Sequence, residues 1–337
     1  MGSIGICAAK AFGILVDRGE GGTPKRRSRG RLRSTIVTEH EMESRITIQE
    51  MDVVSETKTK TETQTKEARL GEILGGLGRT LIAYSGGVDS AYLAWAAYKT
   101  LGTNMLAVIA DSPSLARTHL QDAIAFAEEQ RIPLHVIQTQ EMERVEYVRN
   151  DSARCFHCKD ELFQVMERFA GERGYASIAY GVNVDDQGDF RPGQAAAGKH
   201  NVAAPLLEAG LTKADVRELA RAAGLRVWDK PASACLSSRI EYGRPVTAEA
   251  LSAVERGEDA LRALGFKQVR VRHHGDIARI EIARDELERA LVLEMFAEFT
   301  RIFKALGFTY VALDTEGFRS GSMNALLASE HLVKLHS

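Results

Sequence analysis

The six residues Ser85-Gly86-Gly87-Val88-Asp89-Ser90 separate an apolar run, "TLIAY", from the amphipathic stretch "AYLAWAAYKTLG". Two glycines let the backbone turn tightly and let another group approach it closely. The N–H groups that open a following helix have no internal partners and carry the positive end of its dipole. Strand, glycine turn and helix start together make an anion site, and phosphate is the usual anion. A tight turn capped by Asp89 or Ser90 is the plainer alternative; two hydroxyls and an acid around the glycine pair favour phosphate. The stretch is not the Walker loop, which is longer and ends in Gly-Lys-Ser/Thr. Nor is it the dinucleotide fingerprint G-x-G-x-x-G.

Three cysteines form the second group. "RCFHCKDELF" holds Cys155 and Cys158, a C-x-x-C expected just before a helix, and "KPASACLSSRIEYG" holds Cys235. A thioredoxin-like redox pair leaves Cys235 unexplained. A structural zinc wants four ligands; the cysteines with His157 would serve, but no second C-x-x-C or finger-spaced His pair accompanies them. Isolated buried thiols are a third reading. A fourth is an iron–sulfur cluster on three thiolates, which leaves one iron without a protein ligand. Spacing alone leaves all four open. Cations form a third group: Arg270 and Arg272 alternate on an expected strand and so share one face, and Arg239 follows Cys235 closely. Guanidinium forks suit phosphate and carboxylate, although a solvated sheet face shows the same alternation.

The elements that must position these residues are legible from Leu70 onward. "TLIAYS", "MLAVIAD", "PLHVIQT" and "SIAYGV" read as strands, with helices over "DSAYLAWAAYKTLG", "RTHLQDAIAFAEEQR", "DELFQVMERFAGERG" and "TKADVRELARAAG". Such alternation implies a parallel sheet with helices on both faces, and ligands at the carboxyl ends of its strands. The glycine loop, Ala110-Asp111 and Gly181-Val182-Asn183 fall at such ends. After about Ile240 the pattern becomes helix, two strands with an "HHGD" turn, helix and strand, a smaller α+β unit. The chain therefore divides into a tail over 1–66, an α/β domain over 67–240 and an α+β domain over 241–337. The tail, with the basic run "TPKRRSRGRLR" and the polar repeat "SETKTKTETQTKEAR", is expected to be disordered. Cys7 lies in it and carries no role; Met42 and Met51 are later candidate starts. No signal peptide is expected.

The 337 residues carry a net charge of −2, which gives no global case for nucleic acid, and the basic tail run reads as solvated. Four cysteines in a chain of this length point to a reducing, cytoplasmic compartment rather than a disulfide framework. No stretch approaches membrane-spanning length.

Ser85 to Ser90 resembles the pyrophosphate loop of the N-type ATP pyrophosphatases, of the adenine nucleotide alpha-hydrolase type. The resemblance implies that these enzymes cut ATP between the α and β phosphates and attach AMP to a substrate oxygen. Amides of Gly86 and Gly87 would then hold the pyrophosphate, Ser85 and Ser90 would add hydroxyl donors, and Asp89 would help hold Mg2+. With "RCFHCKDELF", "YGVNVDDQGDFRPG", "KPASACLSSRIEYG", "RVRHHGDIARIE" and "LDTEGFRSGSMN", the chain from about residue 70 onward resembles the LarE family. These are ATP-dependent sulfur-insertion enzymes, pyridinium-3,5-biscarboxylic acid mononucleotide sulfurtransferases, that help make the nickel-pincer nucleotide cofactor of lactate racemase. The resemblance implies adenylylation of each substrate carboxylate, followed by displacement of AMP by sulfur. It assigns the nucleotide substrate to Arg239, Arg270 and Arg272. It assigns a divalent cation to Glu258 and Glu281 with a third acid near Asp285 to Glu288. It makes Cys155, Cys158 and Cys235 the catalytic cysteines, holding a [4Fe-4S] cluster whose open iron carries a sulfide. In another branch of the family one cysteine gives up its own sulfur; that position falls at Ala234 here, and the branch lacks the C-x-x-C. A homo-oligomer is implied, with the sulfur donor unassigned. Alternatives are a tRNA-thiolation enzyme, which needs an RNA surface that the core lacks, and an ammonia-dependent amide synthetase, which would leave the cysteines idle. A non-catalytic ATP-binding protein fits an intact loop less well.

Overall fold

The structure is a computed structural model, and it describes residues 61–188, 192–231 and 234–319. The tail as far as residue 60, with Cys7, Met42 and Met51, lies outside the described residues, as does the end of "LDTEGFRSGSMN". Residues 61–76 form a helix, α1, so the six residues 61–66 assigned to the tail belong to a folded element. Its Leu70 and Leu74 are buried, and Thr63 and Lys66 both donate to Asp215. The polar repeat around these residues obscures that contact in the sequence.

The chain continues through β1 (Thr80–Ala83), α2 (Val88–Leu101), β2 (Met105–Asp111), α3 (Arg117–Glu129) and β3 (Leu134–Gln138). Next come α4 (Val145–Val148), α5 (Arg154–Arg173), β4 (Ser177–Tyr180), α6 (Pro192–Lys199), α7 (Pro205–Glu208) and α8 (Lys213–Ala222). The four strands pair in parallel in the order β3-β2-β1-β4. Side chains alternate across the sheet, as period-two geometry requires. Ile82, Ala107, Ile109 and Ala179 pack with α2, α3 and α8, while Leu81, Val108, Ile137 and Ile178 pack with α5 and α6. The strand order reverses at β1, and a loop at such a switch point faces a crevice.

After a 3-10 turn at Leu236–Arg239 come α9 (Ala248–Ala263), β5 (Val269–His274), β6 (Ile277–Ile282), α10 (Leu287–Ala290), α11 (Leu293–Ala305) and β7 (Tyr310–Leu313). The second sheet is mixed: β5 and β6 are antiparallel, β6 and β7 parallel. Leu261, Val269, Val271, Ile280 and Phe303 form its core with α9 and α11. The β5 edge is not left open. Glu258 Oε1 accepts from Val271 N at 3.3 Å, and Ile240 bridges to His273. No helix among the described residues is long and apolar enough to cross a membrane.

Candidate active site

The glycine loop follows β1 because Gly86 has φ +73°, and a Cβ there would stand 2.7 Å from the Ala123 Cβ on α3. A side chain at Gly181, after β4, would come within 2.8 Å of the Ser90 nitrogen, so the α2 start can sit this close only to a glycine. Ser90 Oγ accepts from Ser85 N at 3.1 Å, lies 3.0 Å from Ser85 Oγ and donates to Gly87 O at 3.1 Å. Both expected hydroxyl donors thus brace the loop itself. Asp89 accepts from Asn183 Nδ2 at 3.1 Å and pairs with Lys213 Nζ at 3.2 Å. Lys230 Nζ donates to Gly86 O at 3.1 Å and pairs with Asp122, which ties the segment leading to Cys235 onto the loop.

A cavity of about 310 Å³ opens above the strand ends. Ser85, Gly87 and Asp89 line one wall, Ala110 and Lys159 another, and Cys235 reaches into the same space. Loop and cysteine, 150 residues apart in the numbering, therefore share one cleft.

Cys155 and Cys158 lie within the first two turns of α5, not ahead of it, because the helix begins at Arg154. A spacing of three places both on one helix face. Cys158 packs with Ala116, Tyr147 and Leu236. The cysteine-bearing elements are fastened by Asn150, which is fully buried at φ +59°. Its Nδ2 donates to Glu241 O and Arg244 O, each at 2.9 Å, and its Oδ1 accepts from Arg154. Asparagine is one of the few residues that tolerates this backbone region, and its side chain satisfies carbonyls that would otherwise be orphaned.

The thiols feel one another. Burial, then the charges of Cys235, Glu141 and Cys155, push the Cys158 thiol well up, against Arg154. Cys235 is also pushed up by burial, but Arg154, the Ser237 hydroxyl at 2.9 Å and Arg239 bring it below the ordinary thiol value. Arg154, Tyr147 and Glu141 carry no motif signal by themselves; the Arg-Cys dipeptide is the nearest hint for the first of them.

The expected substrate arginines separate. Arg239 is 1% exposed, with Nε on Glu258 Oε1 at 2.9 Å and Nη1 donating to Ala234 O and Cys235 O. Its charge is spent on Glu258, and it shapes the Cys235 turn rather than facing a ligand. Arg272 pairs with Glu281 at 2.8 Å and donates to Ser238 O. Arg270 has no carboxylate partner among the described residues; its Nη1 donates to Val269 O, and Phe318 lies 5.1 Å from it. Burial and the nearby Arg239 and Arg272 charges push it down to about 10, with Glu258 opposing. It stays charged at neutral pH.

Glu258 and Glu281 are buried, but each is already matched by guanidinium groups: Arg239 and Arg262 on the first, Arg272 and Arg279 on the second. Among the described residues no group of three or more His, Cys, Asp or Glu is arranged to hold a metal ion. The divalent-cation set expected on Glu258 and Glu281 is therefore not assembled among the described residues. Cys155, Cys158 and Cys235 are not arranged as such a group either; what they offer is soft donor atoms, with Cys235 lining the cavity. Such a donor set fits iron–sulfur chemistry.

A four-stranded parallel sheet covered on both faces, with a glycine loop at its switch point and a smaller mixed sheet after it, defines an α/β fold of the ATP-pyrophosphatase type. No protein-family model matches the chain. It is 42% identical over 264 residues to an uncharacterized protein of Synechocystis sp., covering 78% of this chain and 98% of that one. It is 35% identical over 269 residues to the pyridinium-3,5-bisthiocarboxylic acid mononucleotide synthase of Lactiplantibacillus plantarum, covering 80% of this chain and 97% of the synthase. An uncharacterized protein of Methanocaldococcus jannaschii is 29% identical over 242 residues, 72% of this chain and 91% of its own. On the match to the synthase, the chain belongs to the LarE family.

Proposed function

We propose that the protein is an ATP-dependent sulfurtransferase that acts on a pyridinium-3,5-dicarboxylate mononucleotide in nickel-pincer cofactor biosynthesis. The observation that carries this reading is the shared cavity of the glycine loop and Cys235. A carboxylate oxygen is a poor leaving group and AMP is a good one. The amides of Gly86 and Gly87, at the start of α2, hold the pyrophosphate. Asp89 would help hold magnesium, which screens the phosphate charge. The carboxylate attacks the α phosphorus, pyrophosphate leaves, and an acyl adenylate results. Sulfide then adds at the carbonyl carbon, AMP leaves, and a thiocarboxylate remains. Arg270, cationic and without an acid partner among the described residues, receives the substrate phosphate or carboxylate.

Cys155, Cys158 and Cys235 would hold a [4Fe-4S] cluster, which when bound would supply sulfide to the activated carboxylate. The protein's own part is to keep three thiols around Arg154 at the edge of the nucleotide cavity. Anaerobic isolation should give iron with at least as much acid-labile sulfide, the excess being the sulfide on the open iron, and each single Cys→Ala change should lose both. If iron-free protein still delivers one sulfur per chain and leaves Cys235 as dehydroalanine, the sacrificial route is correct instead. The reading includes a homo-oligomer in the cytoplasm. Leu293, 79% exposed, and its neighbour Phe296 on α11 offer an apolar surface for a second copy, and light scattering would measure the assembly.

The catalytic half of the proposal is tested by Asp89→Ala. AMP and pyrophosphate release should vanish while the melting temperature holds. RNA co-purifying in stoichiometric amount would favour tRNA thiolation.

A further inference from the structure

The segment between β2 and α3 puts Ser112, Ser114 and Leu115 on the wall of the cavity beside the glycine loop. The helix after it starts without a cap of its own. Ala116, the residue before α3, has no side-chain acceptor, and the first turn carries no acid. α8 and α9 begin differently: Thr212 and Thr247 each accept from a backbone N–H of the turn that follows. The opening N–H groups of a helix need acceptors, and a carboxylate is a favoured one. For α3 the carboxylate comes from the second domain. Glu255, on α9, accepts from Arg117 N.

Arg117 in turn gathers the segment ahead of it. Its guanidinium pairs with Asp111 and donates to Ser112 O and Leu115 O, each at 2.7 Å. Ala250, Leu251 and Val254 of α9 pack with Ala116, and Leu236 N donates to Ser114 O at 2.8 Å. Glu258, three residues on from Glu255 and on the same face of α9, holds Arg239, whose Nη1 reaches Cys235 O. One helix face therefore fixes both the cavity wall and the Cys235 turn.

We infer that Glu255 is a positioning residue for ATP: it caps α3 from the second domain and so fixes the β2–α3 wall of the nucleotide cavity. The inference rests on the ATP reading of that cavity. Glu255 is not among the residues that line the cavity, and it acts through Arg117. Without its carboxylate the first turn of α3 loses an acceptor, and the backbone that carries Ser112, Ser114 and Leu115 loses its anchor. The α/β domain thus borrows the brace of its nucleotide wall from the domain that follows it.

The test compares the full-length chain as wild type, Glu255→Gln and Glu255→Ala. Hydrogen exchange at the amides of residues 117–120 reads the cap. Calorimetric titration reads affinity for ATP with Mg2+ and, separately, for pyridinium-3,5-dicarboxylate mononucleotide. One charge-assisted hydrogen bond is worth about tenfold in an equilibrium, so Glu255→Ala should speed the exchange and weaken ATP binding by about tenfold each. Affinity for the mononucleotide should hold. Glutamine keeps an acceptor oxygen for Arg117 N, so Glu255→Gln should fold and show both changes at smaller size. Faster exchange with unchanged ATP affinity overturns the inference, because Glu255 then serves the fold alone. So do ATP and mononucleotide affinities that fall together, because the loss is then general. Unchanged exchange in both variants overturns it as well, because the carboxylate is then no cap. A wild type that binds no ATP overturns the nucleotide reading and this inference with it, and the exchange result shows whether the cap failed too.

Discussion

Arg270 and Arg272 share a strand and differ in what surrounds them. Arg272 is matched by the buried Glu281, and removing it leaves that carboxylate short of its 2.8 Å partner. Arg272→Gln should cost about 3 kcal/mol of stability by denaturant unfolding, the scale for breaking a buried pair. Arg270→Gln should leave stability nearly unchanged and weaken binding of the nucleotide substrate about tenfold to a hundredfold, with ATP binding untouched. Calorimetric titration of both ligands checks this; equal substrate affinity in wild type and Arg270→Gln would make the residue part of a solvated face. The alternation V-R-V-R made the shared face legible in the sequence. It could not reveal that Arg239 and Arg272 are already neutralised, since their partners come from α9 and β6.

At the scale of elements, the decisive piece is the entry to α5. The C-x-x-C was legible and the helix was legible, but the helix starts earlier than "DELFQVMERF" suggests. Cys155, Phe156 and His157 are indifferent helix formers, so local pattern placed the boundary too late, where the bonds of Arg154 to Asn150 and Ser237 fix it. Asn150→Ala should lower stability by about 2 to 3 kcal/mol by leaving buried carbonyls without donors. It should also free Cys235 from Cys158, readable as altered alkylation of both thiols. Farther along α5, Asp160 is 2% exposed and accepts from Lys199, His200 and Arg144. Burial pushes its carboxyl up, but the hydrogen bonds from Lys199, His200 and Arg144 outweigh this and hold it far below the usual range. A carboxyl lowered in the folded state contributes stability above its unfolded value, about 4, and that contribution is lost as pH falls toward the folded value. Asp160→Asn should therefore be less stable at neutral pH and lose less stability than wild type on acidification. Urea unfolding at pH 7 and at about pH 3, below the unfolded value, measures the difference; parallel losses in the two proteins would contradict the assignment.

For the whole molecule, the parallel sheet, the glycine turn between β1 and α2 and the later change of pattern were all legible, because β-α alternation has a strong period and paired glycines mark a tight turn. The strand order and the folded helix α1 were not, because both are fixed by contacts between distant segments. The placing of Cys235 in the cavity beside the glycine loop is the same kind of fact: Lys230 on Gly86 O and Leu236 N on Ser114 O bring that segment over the sheet ends. The central claim is that this cleft activates a carboxylate with ATP and exchanges its oxygen for sulfur. The most direct measurement is mass spectrometry of the products formed from ATP, Mg2+ and pyridinium-3,5-dicarboxylate mononucleotide by anaerobically isolated protein with sulfide supplied. The expected products are AMP, pyrophosphate and a nucleotide in which sulfur has replaced a carboxylate oxygen. Release of ADP and phosphate, or a substrate returned with both carboxylates unchanged while ATP is consumed, would contradict it.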